Sequence, residues 1–543
     1  MVKELTFLII GAGSRGSAYA RAITTSTPAR IAAVAEPDPY KRHVLGEKYI
    51  WGPGRSPKAG QEFEGWREWI EYEVDRRGRA GRDSGSDEGV DGLLICTLDE
   101  THVEILAGLA VAELLDLHVL CEKPLALSLD DCLSVYAARA KAAAESVFSI
   151  GHVLRYSPHN LLLRRLVRVD KVIGDIVSVE HTEPVGFWHF AHSYVRGNWR
   201  RETLQGDGSL LTKSCHDVDF LVWLVEEPIY STCSSPVSKA PKSDPNGSER
   251  FQLKLRSIHS TGHLTQFTPS RKPLAAGSAT NCTTCPIERE CVYSAVRIYR
   301  DNQLRKGERG WPVKIVCPDI EDYLPSTSTS DTQKAEDRLL SALKEDYDDT
   351  TPDEEIAKRT WYGRCVYESD NNVCDDQVVT MSWDTVPTNP DNGPEARKKK
   401  GKPSGITATL HMTAPTEAQC VRRGRIYGTA GEITYDSQHI SIFSFATRET
   451  TVIDVPKQPP EEEESHGGGD YGLARGFVNA VDMVVNRGWS VQRAQREFVG
   501  CELGDVIRSH AVVFAAEESR RGEMVVPWES WWKGKLASVG LRS

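Results

Sequence analysis

Apolar residues open the chain as a run from Leu5 to Ile10, a glycine-rich turn interrupts it, Ser17 to Thr25 has helix-forming composition, and Ile31 to Ala35 is apolar again. A strand, turn, helix and second strand in about 30 residues make one βαβ unit. Gly92–Thr97 and His118–Cys121 predict two more buried strands, with the Ala- and Leu-rich helix Val103–Leu115 between them. A further helix, Leu129–Glu145, leads to the apolar stretch Val147–Ile150. This alternation predicts an α/β fold, a doubly wound parallel sheet of the Rossmann type. Gly52–Asp91, rich in Gly, Arg and Asp, reads partly as a surface insertion.

Beyond Gly151 the texture changes to β-branched runs at Asp175–His181, Gln377–Trp383, Thr407–Met412 and Ile440–Phe445, separated by polar loops. They predict a second, α+β domain with a largely antiparallel open sheet. The expected division is 1–150 and 151–543, with a Cys-rich insertion around 255–365 in the second part. Ser326–Asp353 and Pro387–Pro403, the latter containing Arg397–Lys400, read as insertions or linkers, and Glu461–Glu464 as exposed.

A length of 543 residues exceeds what one core organises. A net charge of -11 argues against a nucleic-acid partner. No apolar stretch reaches the roughly 18 residues of a membrane span, and the N-terminus runs straight into a strand without a signal peptide. Thirteen cysteines without a secretion signal imply reduced thiols, so the cytoplasm is the expected compartment.

The turn after the first strand reads Gly11-Ala12-Gly13-Ser14-Arg15-Gly16. In this pattern Gly11 permits the tight turn, Gly13 lets backbone amides approach a pyrophosphate, and Gly16 lets helix and strand pack closely. Glu36 follows 20 residues after Gly16, at the end of the second strand, where a carboxylate accepts both ribose hydroxyls of NAD and repels the 2′-phosphate of NADP. NAD is the expected cofactor, with NADP the alternative, because a guanidinium at Arg15 beside the ribose would soften that discrimination. Residues 1–150 are thus expected to form an NAD(P)-binding domain.

At the end of the fourth predicted strand stands Cys121-Glu122-Lys123-Pro124. A lysine there lies at the carboxyl edge of the sheet, where open α/β folds bind ligands, with an X-Pro bond that a cis geometry would aim. The sequence resembles the Gfo/Idh/MocA family of oxidoreductases. The residues that carry the resemblance are the glycine turn, Ala35–Asp38, Cys96-Thr97 with Asp99 and His102, Glu122-Lys123-Pro124, and Gly151-His152 with Arg155-Tyr156. Gly206–Leu211 leading to Cys215–Asp219, and Gly428–Ile433, extend it into the second domain. The resemblance implies a nicotinamide across the carboxyl edge of the first domain, against the sheet of the second, and a sugar or cyclitol as substrate. It implies cofactor contacts at Gly11, Gly13, Ser14, Arg15, Gly16, Glu36, Thr97, His102, Glu122 and Lys123, and catalytic roles for Lys123 and His216.

Those roles make chemical sense. Hydride leaves carbon only as the hydroxyl proton is lost, so a base and a positive group are needed, and an imidazole and an ammonium supply them. Which of the two takes the proton is left open by the sequence. Family members commonly have an aspartate four residues before the histidine, whereas this chain has Thr212. Lys213 and Asp217, themselves four apart, are candidate contacts in its place. Trp188–Trp199 mixes aromatics with polar donors, as a polyol site needs, and nominates His192, Arg196 and Asn198 as substrate contacts. Arg155 and Tyr156 complete the expected substrate set.

Cys282, Cys285 and Cys291 give a CxxC and a third thiol, predicting a structural Zn2+ site. Its fourth ligand would come from His259, His263, Cys215 or Cys317; unliganded thiols or an iron–sulfur cluster are the alternatives. The expected activity is NAD(P)-dependent oxidation of a sugar or polyol hydroxyl. Glycoside cleavage through transient oxidation by tightly bound NAD, and a non-catalytic NAD sensor, are the alternatives. A homo-oligomer is expected, paired through the open sheet, with neither nucleic acid nor membrane as a partner.

Overall fold

The structure is a computed structural model that describes residues 2–80, 89–142, 145–226, 251–323, 329–387 and 405–540. Its first sheet places β1 (Thr6–Ile10) at the centre. Around it lie β2 (Arg30–Ala35), β3 (Glu62–Phe63), β4 (Gly92–Ile95), β5 (His118–Cys121) and β6 (Phe148–Ile150), in the order β3-β2-β1-β4-β5-β6. All five pairings are parallel. Helices cover both faces, which is why the strands read as unbroken apolar runs and every residue of β1, β4, β5 and β6 is buried.

The second sheet has nine strands in the order β14-β13-β12-β11-β7-β10-β9-β8-β15. They are β7 (Ile176–Pro184), β8 (Phe251–His263), β9 (Asp376–Pro387), β10 (Gly405–Thr413), β11 (Arg423–Gly428), β12 (Gly431–Tyr435), β13 (His439–Ser444), β14 (Thr450–Asp454) and β15 (Val526–Pro527). Among the described residues only β7 and β10 pair in parallel. One face packs on the helices Cys215–Val225 and Leu503–Gly522. Every residue of Cys215–Val225 is buried, because this helix sits between the sheet and the first domain.

The chain returns late to the first domain. Helix Gly469–Arg487 packs on Ser14–Ser26, with the Phe7 and Phe477 rings 5.7 Å apart. The Gln495 amide donates to the Phe148 carbonyl at 2.6 Å and accepts from its N–H at 3.1 Å, so it closes the outer edge of β6 as a neighbouring strand would. One buried carboxylate, Asp219, fastens the layers. Arg155 holds Asp219 through two bonds of 2.6 and 2.7 Å, and Ser509 donates to the same carboxylate at 2.6 Å.

Two of the stretches read as insertions carry regular structure. Within Ser326–Asp353 the chain forms a helix, Thr329–Leu343, that buries Ala335, Leu339 and Leu343. Their spacing of four is helical, and the Ser, Thr, Asp and Glu of the exposed face hid it. Within Gly52–Asp91, β3 and the helix Trp66–Ala80 are regular structure, with Trp69 buried. The Arg397–Lys400 run lies outside the described residues. Between β8 and β9 short helical turns wrap two apolar clusters, one around Tyr299, Ile320 and Leu339, the other around Phe190, Phe267 and Tyr293.

Replacing Arg155 with Met strands the Asp219 carboxylate in the interior. The expected cost is about 3–5 kcal/mol of folding stability, read as a fall in the urea midpoint; an unchanged midpoint contradicts the ion pair's role. Burial also holds His118 down to about 4 and His152 and His192 down to about 3, from an ordinary 6.5. The unfolded chain therefore takes up protons that the folded chain refuses, and stability should fall as the pH drops from about 6.5 toward 3. Denaturant titrations across that window check the sign, and a flat profile contradicts it.

Candidate functional site

The glycine turn ends β1. Gly11 has φ +95°, and a Cβ there would stand 2.6 Å from the Cys96 carbonyl oxygen. At Gly16 a Cβ would stand 2.0 Å from the Gly11 oxygen, so only glycine lets the helix start this close to the strand. At Gly13 a Cβ would meet nothing within 4 Å, which leaves that side of the turn open. Gly13 caps the helix Ser14–Ser26 without a side-chain bond, and Ser14 is exposed. Glu36 points back at the turn: one carboxylate oxygen accepts from the Ala12 amide at 2.7 Å, the other from the Asp38 amide at 3.0 Å. Each oxygen keeps a second lone pair, as a ribose diol would need. Open amides at a helix start and an oriented carboxylate fit the dinucleotide that the pattern implies.

Arg15 stands elsewhere than beside a ribose. Its guanidinium donates to Glu122 at 2.9 Å and to Asp470 at 2.8 and 3.1 Å. Glu122 also accepts from the Tyr19 hydroxyl at 2.6 Å and from the Lys123 amide at 3.2 Å. Burial pushes the Glu122 carboxyl up, but Arg15, Tyr19 and Lys123 outweigh it and hold it below the usual carboxylate range. His102 is fully buried, its ring bridging the carbonyls of Pro124 at 2.8 Å and Thr97 at 3.3 Å. It acts on the edge by tying the loop after β4 to the loop after β5. The Lys123-Pro124 bond is cis.

Lys123 is half-buried at this edge, and its Nζ donates to the Thr212 carbonyl at 2.7 Å. The Thr212 backbone, not a side-chain carboxylate, receives the lysine. The indole ring of Trp199 lies 5.9 Å from Nζ, and its N–H donates to Asp99 at 2.8 Å.

His216 faces a buried set of charges from the second sheet. Its Nε2 lies 3.0 Å from an Arg422 Nη, and a guanidinium only donates, so Nε2 accepts and the ring proton sits on Nδ1, the atom without a protein partner. Burial pushes its pKa well below 6.5; Asp217 pulls the other way, but Arg422, Lys123 and Lys213 add to the fall, and the ring is neutral. Arg422 is held by Asp217 at 2.6 Å and Glu183 at 3.1 Å. Asp217 also accepts from His181 at 3.1 Å, and the other ring nitrogen of His181 meets the Tyr435 hydroxyl at 2.7 Å. Lys213 reaches Glu183 at 3.0 Å and the Cys420 sulfur at 3.1 Å, and His189 touches that sulfur at 3.4 Å.

Lys123, His216 and Lys213 are therefore brought to one seam, with Asp217 behind them. The other nominated substrate contacts are not. Arg155 is consumed by Asp219, and the Tyr156 hydroxyl donates to the Val499 carbonyl at 2.8 Å. His192 is stacked on Tyr362 and bonded to the Tyr299 hydroxyl at 2.9 Å, and Asn198 is exposed. Arg196 is fully buried and donates to the carbonyls of Arg364 and Tyr293. Glu183, Arg422 and Cys420 escaped the sequence reading. Of these only Glu183 left a trace, as a polar residue two positions from His181 on the same buried face of β7.

Cys282, Cys285 and Cys291 do line one cavity, but among the described residues no three His, Cys, Asp or Glu side chains stand close enough to hold a metal ion. The expected three-thiol zinc site is not assembled as such. Of the fourth ligands considered, Cys317 is turned onto Asp319 at 3.2 Å, and neither His259, His263 nor Cys215 lines the cavity.

Comparison with known proteins bears on the same residues. Residues 5–152 match the NAD-binding Rossmann fold of the oxidoreductase family GFO_IDH_MocA, and residues 168–251 match that family's C-terminal alpha/beta domain. An inositol 2-dehydrogenase from Saccharopolyspora erythraea is 27% identical over 230 residues, which are 42% of this chain and 56% of that relative, so the chain spans little more than half the length of the protein it matches. Two solved structures share the fold. An inositol dehydrogenase homolog from Azotobacter vinelandii, complexed with NAD+, has a TM-score of 0.56 at 12% identity, covering 97% of this chain and 98% of its own. A levoglucosan dehydrogenase, in complex with NADH and levoglucosan, has 0.53 at 14%, covering 97% and 100%. By both of its domains the chain belongs to the Gfo/Idh/MocA family of oxidoreductases.

Proposed function

We propose that the protein is an NAD-dependent dehydrogenase of a secondary hydroxyl on a cyclitol or sugar. The observation that carries this reading is the approach of Lys123, at the carboxyl edge of the first sheet, to the Thr212 carbonyl just before the helix Cys215–Val225, close enough for its charge to act on neutral His216. The relative named for inositol and the neighbour solved with levoglucosan favour a polyol.

The turn at residues 11 to 16 would hold the pyrophosphate and Glu36 the adenosine ribose. When bound, the nicotinamide supplies the acceptor for the hydride. The chain's own groups deal with the proton. His216 presents Nδ1–H, because Arg422 occupies Nε2, and so donates a hydrogen bond to the reacting oxygen. Lys123, whose one protein acceptor among the described contacts is a carbonyl, is the group placed to take the hydroxyl proton. Lys213, kept charged against its burial by the Glu183 carboxylate 3.0 Å away, lends positive potential to the developing alkoxide. The half-buried Trp188 and His189, packed on Trp311 of the inserted segment, offer ring faces to the C–H side of a polyol.

Purified protein incubated with NAD and a panel of inositols, aldoses and anhydrosugars should produce NADH with at least one of them. No NADH from any polyol, with NAD bound, rejects the dehydrogenase reading. On the active substrate Lys123→Ala should lower kcat by about 10²–10⁴-fold, the worth of a positioned base, with the affinity for NAD changed less than tenfold. Unchanged kcat removes Lys123 from the reaction.

A further inference from the structure

From Glu36 a chain of contacts leads outward to the inserted segment. Glu36 accepts from the Asp38 amide at 3.0 Å, and Asp38 caps the helix Pro39–Gly46 by accepting from the Tyr40 and Lys41 amides at 2.9 and 3.2 Å. The Tyr40 hydroxyl then donates to Asp322 at 3.2 Å, a residue 282 positions further along the chain. The residues just past the second strand are where a 2′-phosphate would stand, and holding one takes cations or open amides. Here those groups are engaged. Pro39 has no amide, Asp38 takes the next two, and the Arg42 amide donates to the Asp38 carbonyl at 3.0 Å. Lys41 lies 3.6 Å from Asp38, and the Arg42 guanidinium donates to the carbonyls of Glu36 and Pro37 and lies 3.6 Å from Glu62.

The insert delivers Asp322 on a packed element. Val313, Val316, Cys317 and Ile320 are buried in the insert's own apolar cluster, and Asp319 holds Arg338 of the helix Thr329–Leu343 at 3.0 Å. Trp311, at the other end of this stretch, packs on Trp188 and His189, so residues 311 to 322 reach from the substrate end of the seam to the ribose end. Glu321 is paired with Lys314 at 2.9 Å, whereas among the described residues no cation pairs with Asp322, whose partner is a neutral hydroxyl. Partial burial, followed by Asp322, Glu321 and Asp319, pushes the Tyr40 hydroxyl up to about 12, which keeps it protonated.

We propose that Asp322 is a specificity-determining residue for the cofactor, set by the inserted segment against Tyr40 so that its carboxylate repels the 2′-phosphate of NADP. The proposal rests on the reading of residues 11 to 16 and Glu36 as the dinucleotide site. A phosphate beside Tyr40 would face the Asp322 carboxylate with no free cation between them, an unpaired like charge of the kind that rejects a wrong ligand. Asp322 is exposed, so its effect is electrostatic, modest and screened by salt.

Titration calorimetry of the folded, nucleotide-free, full-length chain with NAD and NADP at low salt reads the ratio of the two affinities. Asp322→Asn, which keeps an acceptor for Tyr40 and removes the charge, should shift that ratio toward NADP by about threefold. Asp322→Lys, which puts a cation in its place, should shift it by about tenfold. Both shifts should shrink at high salt. A ratio left unchanged by either variant, or a shift indifferent to salt, overturns the role of Asp322, while binding of NAD by the wild type upholds the dinucleotide site. Wild-type protein that binds neither dinucleotide overturns both.

Discussion

The buried carboxylate of Glu122 is the constraint on which the first domain's ligand edge depends. It ends β5, where a parallel sheet aims its strand termini at the ligand, and it is satisfied from three directions: by Arg15 and Tyr19 on the first helix, and by the Lys123 amide. Arg15 carries the connection on to Asp470 on the helix that returns from the far end of the chain. Gly151 leaves the space, since a Cβ there would come within 2.9 Å of the carboxylate. A buried anion with one partner removed is worth several kcal/mol of destabilisation, about 3–5 in comparable cases. The glycine turn, the lysine loop and the returning helix are therefore held in one geometry.

The second domain repeats the device with more charges. Asp217 and Glu183 together neutralise Arg422 and Lys213 in the layer between the sheet and the helix Cys215–Val225. The consequence for chemistry is a tautomer. Arg422 fixes which nitrogen of His216 bears the proton, and burial keeps the ring neutral. Thr212 brings no carboxylate, and its carbonyl positions Lys123.

Much of the fold was legible because its signals are local. The βαβ unit, the parallel sheet and the runs that became β7, β9, β10 and β13 follow from stretches of apolar residues and from glycine placement. The helix Thr329–Leu343 was not, because its apolar stripe is narrow and its exposed face has a linker's composition. In the site, Gly11, Gly16, Glu36, Lys123 and His216 could be named since short motifs fix their neighbourhood. Arg422 could not, being 205 residues from the aspartate it binds, and no periodicity encodes such a pairing. Arg155, Arg196 and His192 read as polar contacts for a substrate, yet each satisfies a buried group of the protein itself. A polar residue in a motif-rich stretch serves packing as readily as chemistry, and only its partners tell the two apart.

The central claim, that the turn at residues 11 to 16 and the carboxylate of Glu36 hold NAD, is tested most directly by titration calorimetry of the full-length chain with NAD and with NADP. The expected result is NAD bound at least about tenfold more tightly than NADP, with Glu36→Ala erasing most of this difference, about 1.4 kcal/mol or more. Failure of wild-type, folded and nucleotide-free protein to bind either dinucleotide would contradict it.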